Sequence, residues 1–172
     1  MTSKTIKRCM KDANDLMTKG SDKIVGYSEE NNIRQFYCLI EGFEDTDYKD
    51  GHFIFEIYHD KEYPFKAPSI KCLTPTGRFL VNTKLCFNFS DFHNEQWSPA
   101  WNTQQICMAI ISSMITTNQN EYGAGHYEFN SPEFKKKKQF ASESKKYNLD
   151  NYPIIYAKLL ELLAKKKMIM KK

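Results

Sequence analysis

The chain has 172 residues, of which 41% are hydrophobic and 14% aromatic, enough to fill the core of one domain. Its net charge of +4 is modest, and we interpret the lysine runs at 135–138 and 165–172 as solvated surface, so we expect no nucleic-acid function. No apolar run approaches the roughly 18 residues of a membrane span. The five cysteines form no C-x-x-C pair, which predicts no metal site and a reducing, cytoplasmic setting.

The first predicted element is an amphipathic helix. Four apolar residues recur at spacings of four, three and four, which places them on one helix face, and Gly20 would end the helix. These residues are Ile6, Met10, Ala13 and Met17.

Three short stretches rich in aromatic and β-branched residues follow, at 35–42, 52–58 and 69–73. Residues that favour turns separate them, including Asp50-Gly51 and Ala67-Pro68. Because the links are short, the sequence predicts strands in an antiparallel meander.

The stretch 74–101 has no sustained period but keeps many apolar residues, which indicates a long ordered loop and a place to look for chemistry. Thr103 can cap the next helix, which runs to about Ile115 and is predicted to be buried because little of it is polar. Ser131-Pro132 would start a further helix. A last amphipathic helix is marked by Ile155, Leu159 and Leu162.

Three linked motifs stand out: Tyr63-Pro-Phe-Lys-Ala-Pro-Ser-Ile70, Asn82-Thr-Lys-Leu-Cys86 and Trp97-Ser-Pro-Ala-Trp101. In order and spacing they resemble the ubiquitin-conjugating enzymes, over almost the whole chain. Within that family, Thr74-Pro-Thr-Gly-Arg-Phe79 and Asp91-Phe-His93 most resemble the tail-anchored endoplasmic-reticulum class. The hydrophobic tail of that class has no counterpart in this sequence, which ends in Lys-rich residues.

The resemblance implies an α+β fold with a four-stranded antiparallel meander, an N-terminal helix, a central helix and C-terminal helices, in one domain over residues 1–172. It also implies that Cys86 accepts activated ubiquitin as a thioester and passes it to a substrate lysine, usually with a ligase. No bound cofactor is expected, because ATP is used by the upstream activating enzyme. The partners implied are ubiquitin, that activating enzyme and a ligase.

The sequence departs from the family at a donor position. The common pattern has His-Pro-Asn before the cysteine and uses that Asn in transfer, whereas this chain has Thr74-Pro75-Thr76. Asn82 is the nearest amide that could stabilise charge on the thioester oxygen, and is our second catalytic candidate. The alternative is that Asn82 is a turn residue bonded to its own backbone.

His93 follows Cys86 by seven residues, a spacing that matches no protease motif. A structural role is the simpler interpretation, but the resembled class has been linked to hydroxyl acceptors, and a serine hydroxyl would need a base. Transfer to hydroxyl groups is therefore a hypothesis for this residue.

The resemblance also assigns partner contacts. Phe65 and the loop Ser98, Pro99 and Ala100 align with the two loops that contact ligases in the family, and an exposed aromatic residue suits such a contact. The alternative for Phe65 is packing beneath its turn. The first helix, where activating enzymes dock in the family, carries positive charge at Lys4, Lys7, Arg8 and Lys11.

Two rival functions remain open from the sequence. A catalytically weak or inactive variant of the fold could bind ubiquitin or a ligase as an adaptor, and a cysteine hydrolase is a second alternative. The modifier could be a ubiquitin-like protein. If a C-terminal anchor has been removed, the expected location is the cytosolic face of the endoplasmic reticulum.

Overall fold

The computed structural model describes residues 2–171, and the sheet in this part of the chain has the order β1-β2-β3-β4 with each neighbouring pair antiparallel. The predicted α+β fold with a four-stranded meander is therefore confirmed. The strands are β1 (Ile24–Ser28), β2 (Gln35–Glu41), β3 (His52–Tyr58) and β4 (Ser69–Cys72); the helices are α1 (Ser3–Thr18), α2 (Thr103–Ile115), α3 (Lys137–Asn151) and α4 (Pro153–Met170); short 3₁₀ turns cover Asp91–Gln96 and Phe134–Lys136.

The sheet is buried on both faces. One face packs with α1 and α2 in a core that includes Phe36, Phe55 and Ile110. The other face packs against α4, where Leu39 and Leu159 belong to a second apolar cluster. Strands covered on two sides lose the strict alternation of apolar and polar residues.

Helix α1 turns a different side to the core from the one that its apolar pattern indicates. Met10 is 59% exposed, whereas Cys9 and Asp12 are fully buried. Asp12 can be buried because its carboxylate accepts hydrogen bonds from the Thr103 amide and hydroxyl, both at 2.9 Å, and from the Tyr63 hydroxyl. Partners from other elements therefore override the hydrophobic pattern of the helix.

Helix α2 also differs from its prediction in two respects. Asn102 rather than Thr103 caps it, in a capping box with Gln105. The helix is not buried all round, because Met108 and Ile115 are 45% and 49% exposed. Some apolar residues of α2 therefore pack in the core, and others lie on the exposed surface.

The C-terminal helices begin and pack through polar contacts. Ser131 accepts a hydrogen bond from the Phe134 amide at 3.2 Å, just before the 3₁₀ turn, while α3 itself begins at Lys137, later than predicted. In α4, the buried ammonium of Lys166 donates to the main-chain carbonyls of Leu16, Lys19 and Ile24, each at 2.8 Å. Lys166 thus joins α4 to the end of α1 and the start of β1.

None of the helices within residues 2–171 has the length and apolarity to cross a bilayer.

Candidate active site

Cys86 is held in place by the backbone on both sides. Its amide donates to the Ala124 carbonyl at 2.9 Å, and the Leu85 amide before it donates to Ile70 at the same distance. Gly123 lies so close that an added Cβ would be 3.3 Å from the Cys86 sulfur. Cys86 is partly exposed, whereas the other four cysteines are buried: Cys9, Cys38, Cys72 and Cys107.

Burial also sets the chemistry of the other thiols. It raises the pKa of Cys9 to about 12, with Asp12 adding to the effect. Burial raises the pKa of Cys72 as well, although hydrogen bonds with Thr74 and Thr76 act to lower it. Because the thiolate is the nucleophile, buried thiols of this kind are inert. Cys86 is therefore the cysteine that its surroundings leave open to reaction.

His93 lies directly beside the Cys86 thiol. Its Nε2 is 3.2 Å from Cys86 Sγ, and its Nδ1 is 3.1 Å from a carboxylate oxygen of Glu95. The carboxylate can only accept, so in the neutral ring it favours the tautomer with the proton on Nδ1, which leaves Nε2 free to accept the thiol proton. The turn Asp91–Gln96 breaks its helical geometry at His93 (φ −133°, ψ 54°) and so brings the ring back to Cys86.

A cavity of about 510 Å³ opens beside Cys86, between α2 and the segment 120–126. One wall is a series of stacked rings, with centroids 4.7 Å apart for Phe87 and Phe89 and 5.4 Å apart for Phe89 and Trp101. His93 and His126 also line it. The Cys86 thiol therefore faces a ligand-sized space with one aromatic wall, and polar residues such as Asn88, Ser112 and Asn120 line the rest of it.

The Thr74-Pro75-Thr76 tripeptide supports the fold with its hydroxyl groups. Thr74 Oγ1 accepts from the Ile54 amide at 2.9 Å and donates to Asn148 Oδ1 at 2.6 Å. Thr76 Oγ1 accepts from the amides of Arg78 and Phe79, both at 3.0 Å. Both threonines are fully buried, so their hydroxyls are occupied by backbone and side-chain partners.

Asn82 lies at an exposed turn, where its φ of 56° is in the left-handed region that Asn tolerates. Its backbone amide donates to the Cys72 carbonyl at 2.8 Å, and its side-chain oxygen accepts a hydrogen bond from the Tyr152 hydroxyl at 3.3 Å. The residues that line the cavity beside Cys86 do not include it. Asn82 is therefore a turn residue, but its side chain bonds to Tyr152 rather than to its own backbone, and a catalytic role for it stays a prediction.

Arg78 is a residue of the site that sequence reasoning missed. It is fully buried, and its guanidinium donates to the carbonyls of Ser113 at 3.1 Å, Tyr127 at 3.3 Å and Glu121. It therefore ties the end of α2 to the segment that forms one cavity wall. The signal in the sequence is an arginine directly before the apolar run Phe79-Leu80-Val81.

The predicted partner residues are all exposed, and they lie on two loops that a hydrogen bond joins. Phe65 is 66% exposed, which excludes packing beneath its turn, and Ser98 to Ala100 are exposed as well. The Trp97 indole donates to Pro64 O at 2.7 Å and so joins the two loops. Arg8 is not a free surface charge, because it donates to Pro99 O at 3.0 Å and to Trp101 O, and thereby joins α1 to the same surface.

Comparison with known proteins agrees with this geometry. The family model for ubiquitin-conjugating enzymes matches residues 8–147. Ubiquitin-conjugating enzyme E2 6 of Eremothecium gossypii is 36% identical over 131 residues, covering 76% of this chain and 52% of the relative. The Schizosaccharomyces pombe protein of the same name is 30% identical over 159 residues, covering 92% and 67%. Mouse ubiquitin-conjugating enzyme E2 J2 is 36% identical over 119 residues, covering 69% and 44%.

The matched residues thus span between 44% and 67% of the length of these relatives. A crystal structure of a candidate ubiquitin conjugating enzyme from Plasmodium yoelii superposes with a TM-score of 0.68 at 19% identity, covering 84% of this chain and 97% of that one. That likeness confirms the fold. The match of the family model over most of the chain shows that this protein belongs to the ubiquitin-conjugating enzyme family.

Proposed function

We propose that the chain is an active ubiquitin-conjugating enzyme that carries ubiquitin as a thioester on Cys86. The observation that carries the proposal is the contact of 3.2 Å between the accessible Cys86 thiol and His93, at the mouth of a ligand-sized cavity. A thiol beside a base is a nucleophile prepared for acyl transfer. An adaptor would need neither the accessible thiol nor the base.

The reaction has two acyl transfers. Cys86 Sγ first attacks the thioester carbonyl of ubiquitin held by the activating enzyme; the new carbon–sulfur bond forms as the old one breaks, and the activating enzyme leaves as its thiol. An acceptor amine then attacks the Cys86 thioester, an amide forms, and the Cys86 thiol is released. His93 can take a proton from the attacking group and return it to the leaving sulfur. No bound cofactor is needed, since ATP is consumed upstream.

The test is thioester formation with ubiquitin, activating enzyme and ATP, followed on a non-reducing gel. The expected product is an adduct that thiol reagents cleave and that Cys86→Ala does not form. The matched control is Cys107→Ala, which removes a buried thiol that the proposal does not use. If the wild-type protein forms no adduct while a control conjugating enzyme does, the adaptor or a ubiquitin-like modifier becomes the better explanation.

Transfer to hydroxyl groups is a second candidate activity. The favouring observation is the chain of contacts from Cys86 to His93 to Glu95, because a serine hydroxyl is a weak nucleophile until a base takes its proton, whereas a neutral amine can attack first and lose its proton afterwards. The test compares a serine-only with a lysine-only peptide as acceptor of preformed thioester. An ester product that hydroxylamine cleaves, and that His93→Gln does not make, would support it; its absence would remove it.

For partners, we propose that the surface made by α1, Phe65 and Ser98–Ala100 receives a ligase, since one exposed aromatic ring beside small residues suits a binding hot spot. Phe65→Ala should weaken ligase-stimulated transfer without changing thioester formation.

For location, we propose the cytosol or the cytosolic face of the endoplasmic reticulum, which the five free cysteines support because reduced thiols persist there.

A further inference from the structure

The cavity beside Cys86 contains a polar group that the catalytic scheme above does not use. His126 is 7% exposed, and neither of its ring nitrogens makes a hydrogen bond of good geometry among residues 2–171, although the Cys86 backbone carbonyl lies near enough to act on its pKa. Its ring is fixed by edge contact with Phe79, at a centroid distance of 5.0 Å, and by Phe87 at 5.1 Å. A buried polar side chain without a partner is costly unless a ligand supplies one.

His126 is in its neutral form near pH 7. Burial, helped by the nearby Arg78 charge, lowers its pKa to about 4 from the ordinary 6.5. A neutral imidazole offers one donor and one acceptor, which is the complement of a peptide group. His126 is therefore better suited to bind a peptide than to hold a charge.

The rest of the cavity agrees with a peptide as the occupant. Its walls include Phe89, Trp101 and Tyr122, and the only carboxylate among its lining residues belongs to Glu121. A volume of about 510 Å³ can hold more than one amino-acid side chain. An aromatic wall favours an apolar neighbour of the modified residue, and Glu121 disfavours an acidic one.

The position of His93 indicates which reactant uses this side of Cys86. The group that attacks the thioester must reach both the carbonyl on Cys86 and the free Nε2 of His93, and both Cys86 and His93 line this cavity. The acceptor therefore approaches through the cavity. Resting on the proposed thioester function, we propose that this cavity is a subsite for the acceptor peptide, in which His126 hydrogen-bonds the peptide backbone and the aromatic wall selects an apolar residue beside the acceptor lysine.

The experiment uses preformed Cys86–ubiquitin thioester of the full chain, freed of activating enzyme. Its discharge is measured with hydroxylamine, which is too small to use the subsite, and with three short lysine peptides that carry Phe, Ala or Asp beside the lysine. The variants are His126→Phe, which keeps the ring shape without the polar atoms, and Tyr122→Ala at the exposed rim. The matched control is Tyr127→Phe, since Tyr127 does not line the cavity.

The wild type should discharge to the Phe peptide about tenfold faster than to the Asp peptide, which corresponds to a difference of about 1.4 kcal/mol. His126→Phe should raise the KM for all three peptides several-fold relative to the hydroxylamine rate, and Tyr122→Ala should reduce the preference for Phe. Equal discharge rates of the wild-type enzyme with the three peptides would overturn the proposal. It would also be overturned if His126→Phe lost peptide discharge and hydroxylamine discharge equally while Tyr122→Ala kept the preference for the Phe peptide. Failure of the wild type to form thioester would instead refute the proposed function, and this inference with it.

Discussion

Replacing Arg78 with methionine removes a guanidinium that holds three segments together. Arg78 is fully buried, and it donates to the carbonyls of Ser113, Glu121 and Tyr127. Methionine replaces the apolar stem of arginine but is shorter and has no donor, so the variant keeps the packing of the stem and loses the hydrogen bonds. The backbone carbonyls that it leaves would have to find water or rearrange.

The expected loss of stability follows from those contacts. A hydrogen bond from a charged donor contributes about 1.5 kcal/mol at the lower end of its range, so three contribute about 4 to 5 kcal/mol. Burying the guanidinium costs part of this, because burial opposes the charged form and lowers the pKa of Arg78. We therefore expect Arg78→Met to lower the free energy of unfolding by about 3 kcal/mol. Arg78→Lys should lose less, since an ammonium keeps the charge but cannot span all three carbonyls.

The assay is denaturant unfolding followed by tryptophan fluorescence, which suits this chain because Trp97 and Trp101 lie in the active-site loop. Tyr127→Phe provides the control, because it changes a neighbouring side chain and keeps the carbonyl that Arg78 binds. A loss below about 1 kcal/mol in Arg78→Met, no more than an average point mutation causes, would refute the reasoning. So would equal losses in the Lys and Met variants.

Three further predictions concern the site and its surroundings. His93→Gln should slow discharge of the thioester to peptide about 10²-fold, because the proton acceptor at 3.2 Å from Cys86 is lost; single-turnover kinetics measure this, and an unchanged rate would exclude His93 as the base. Gly123→Ala should slow thioester formation about tenfold, because its Cβ would press on the Cys86 sulfur from 3.3 Å; stopped samples on a non-reducing gel give the rate, and a wild-type rate would mean that the segment yields freely. Burial lowers the pKa of His52 to about 4 and of His59 to about 3, from 6.5. The unfolded chain therefore binds these protons first, so stability is complete above pH 6.5 and is lost as the pH falls towards the folded-state pKa, by about 2 kcal/mol per histidine at pH 5. Unfolding curves at pH 7 and pH 5 would contradict this if they coincided.

The pattern of residues predicted β2, β3 and β4 because each has a dense apolar stretch between turn residues. It did not predict β1, whose short segment has a glycine at its centre, Gly26, and this strand was expected from the resemblance alone. The sequence pattern also did not predict which side of α1 is buried. It depends on Asp12, whose partners Tyr63 and Thr103 are far away in the sequence.

In the candidate site, too, some features could be predicted from the sequence and others could not. Cys86 follows from the motif that contains it, and the exposure of Phe65 agrees with the alignment of its turn. The contact of His93 with Cys86 depends on a break in the turn at His93, which no residue type encodes by itself. The partners of Arg78 and His126 are carbonyls and rings from distant segments, so the sequence shows both residues but not the contacts that they make. The assignment of the whole chain to one domain stays a prediction.

The buried ammonium of Lys166 gives the chain a built-in reporter of its own unfolding. Amine-reactive reagents label any lysine that is both accessible and unprotonated. Lys165 has an exposed side chain in an ion pair with Glu161, whereas Lys166 is enclosed by three carbonyls. In a map of acylated lysines, Lys166 should therefore remain unmodified while its neighbour is labelled. Label at Lys166 would mark molecules in which α4 has separated from α1 and the sheet.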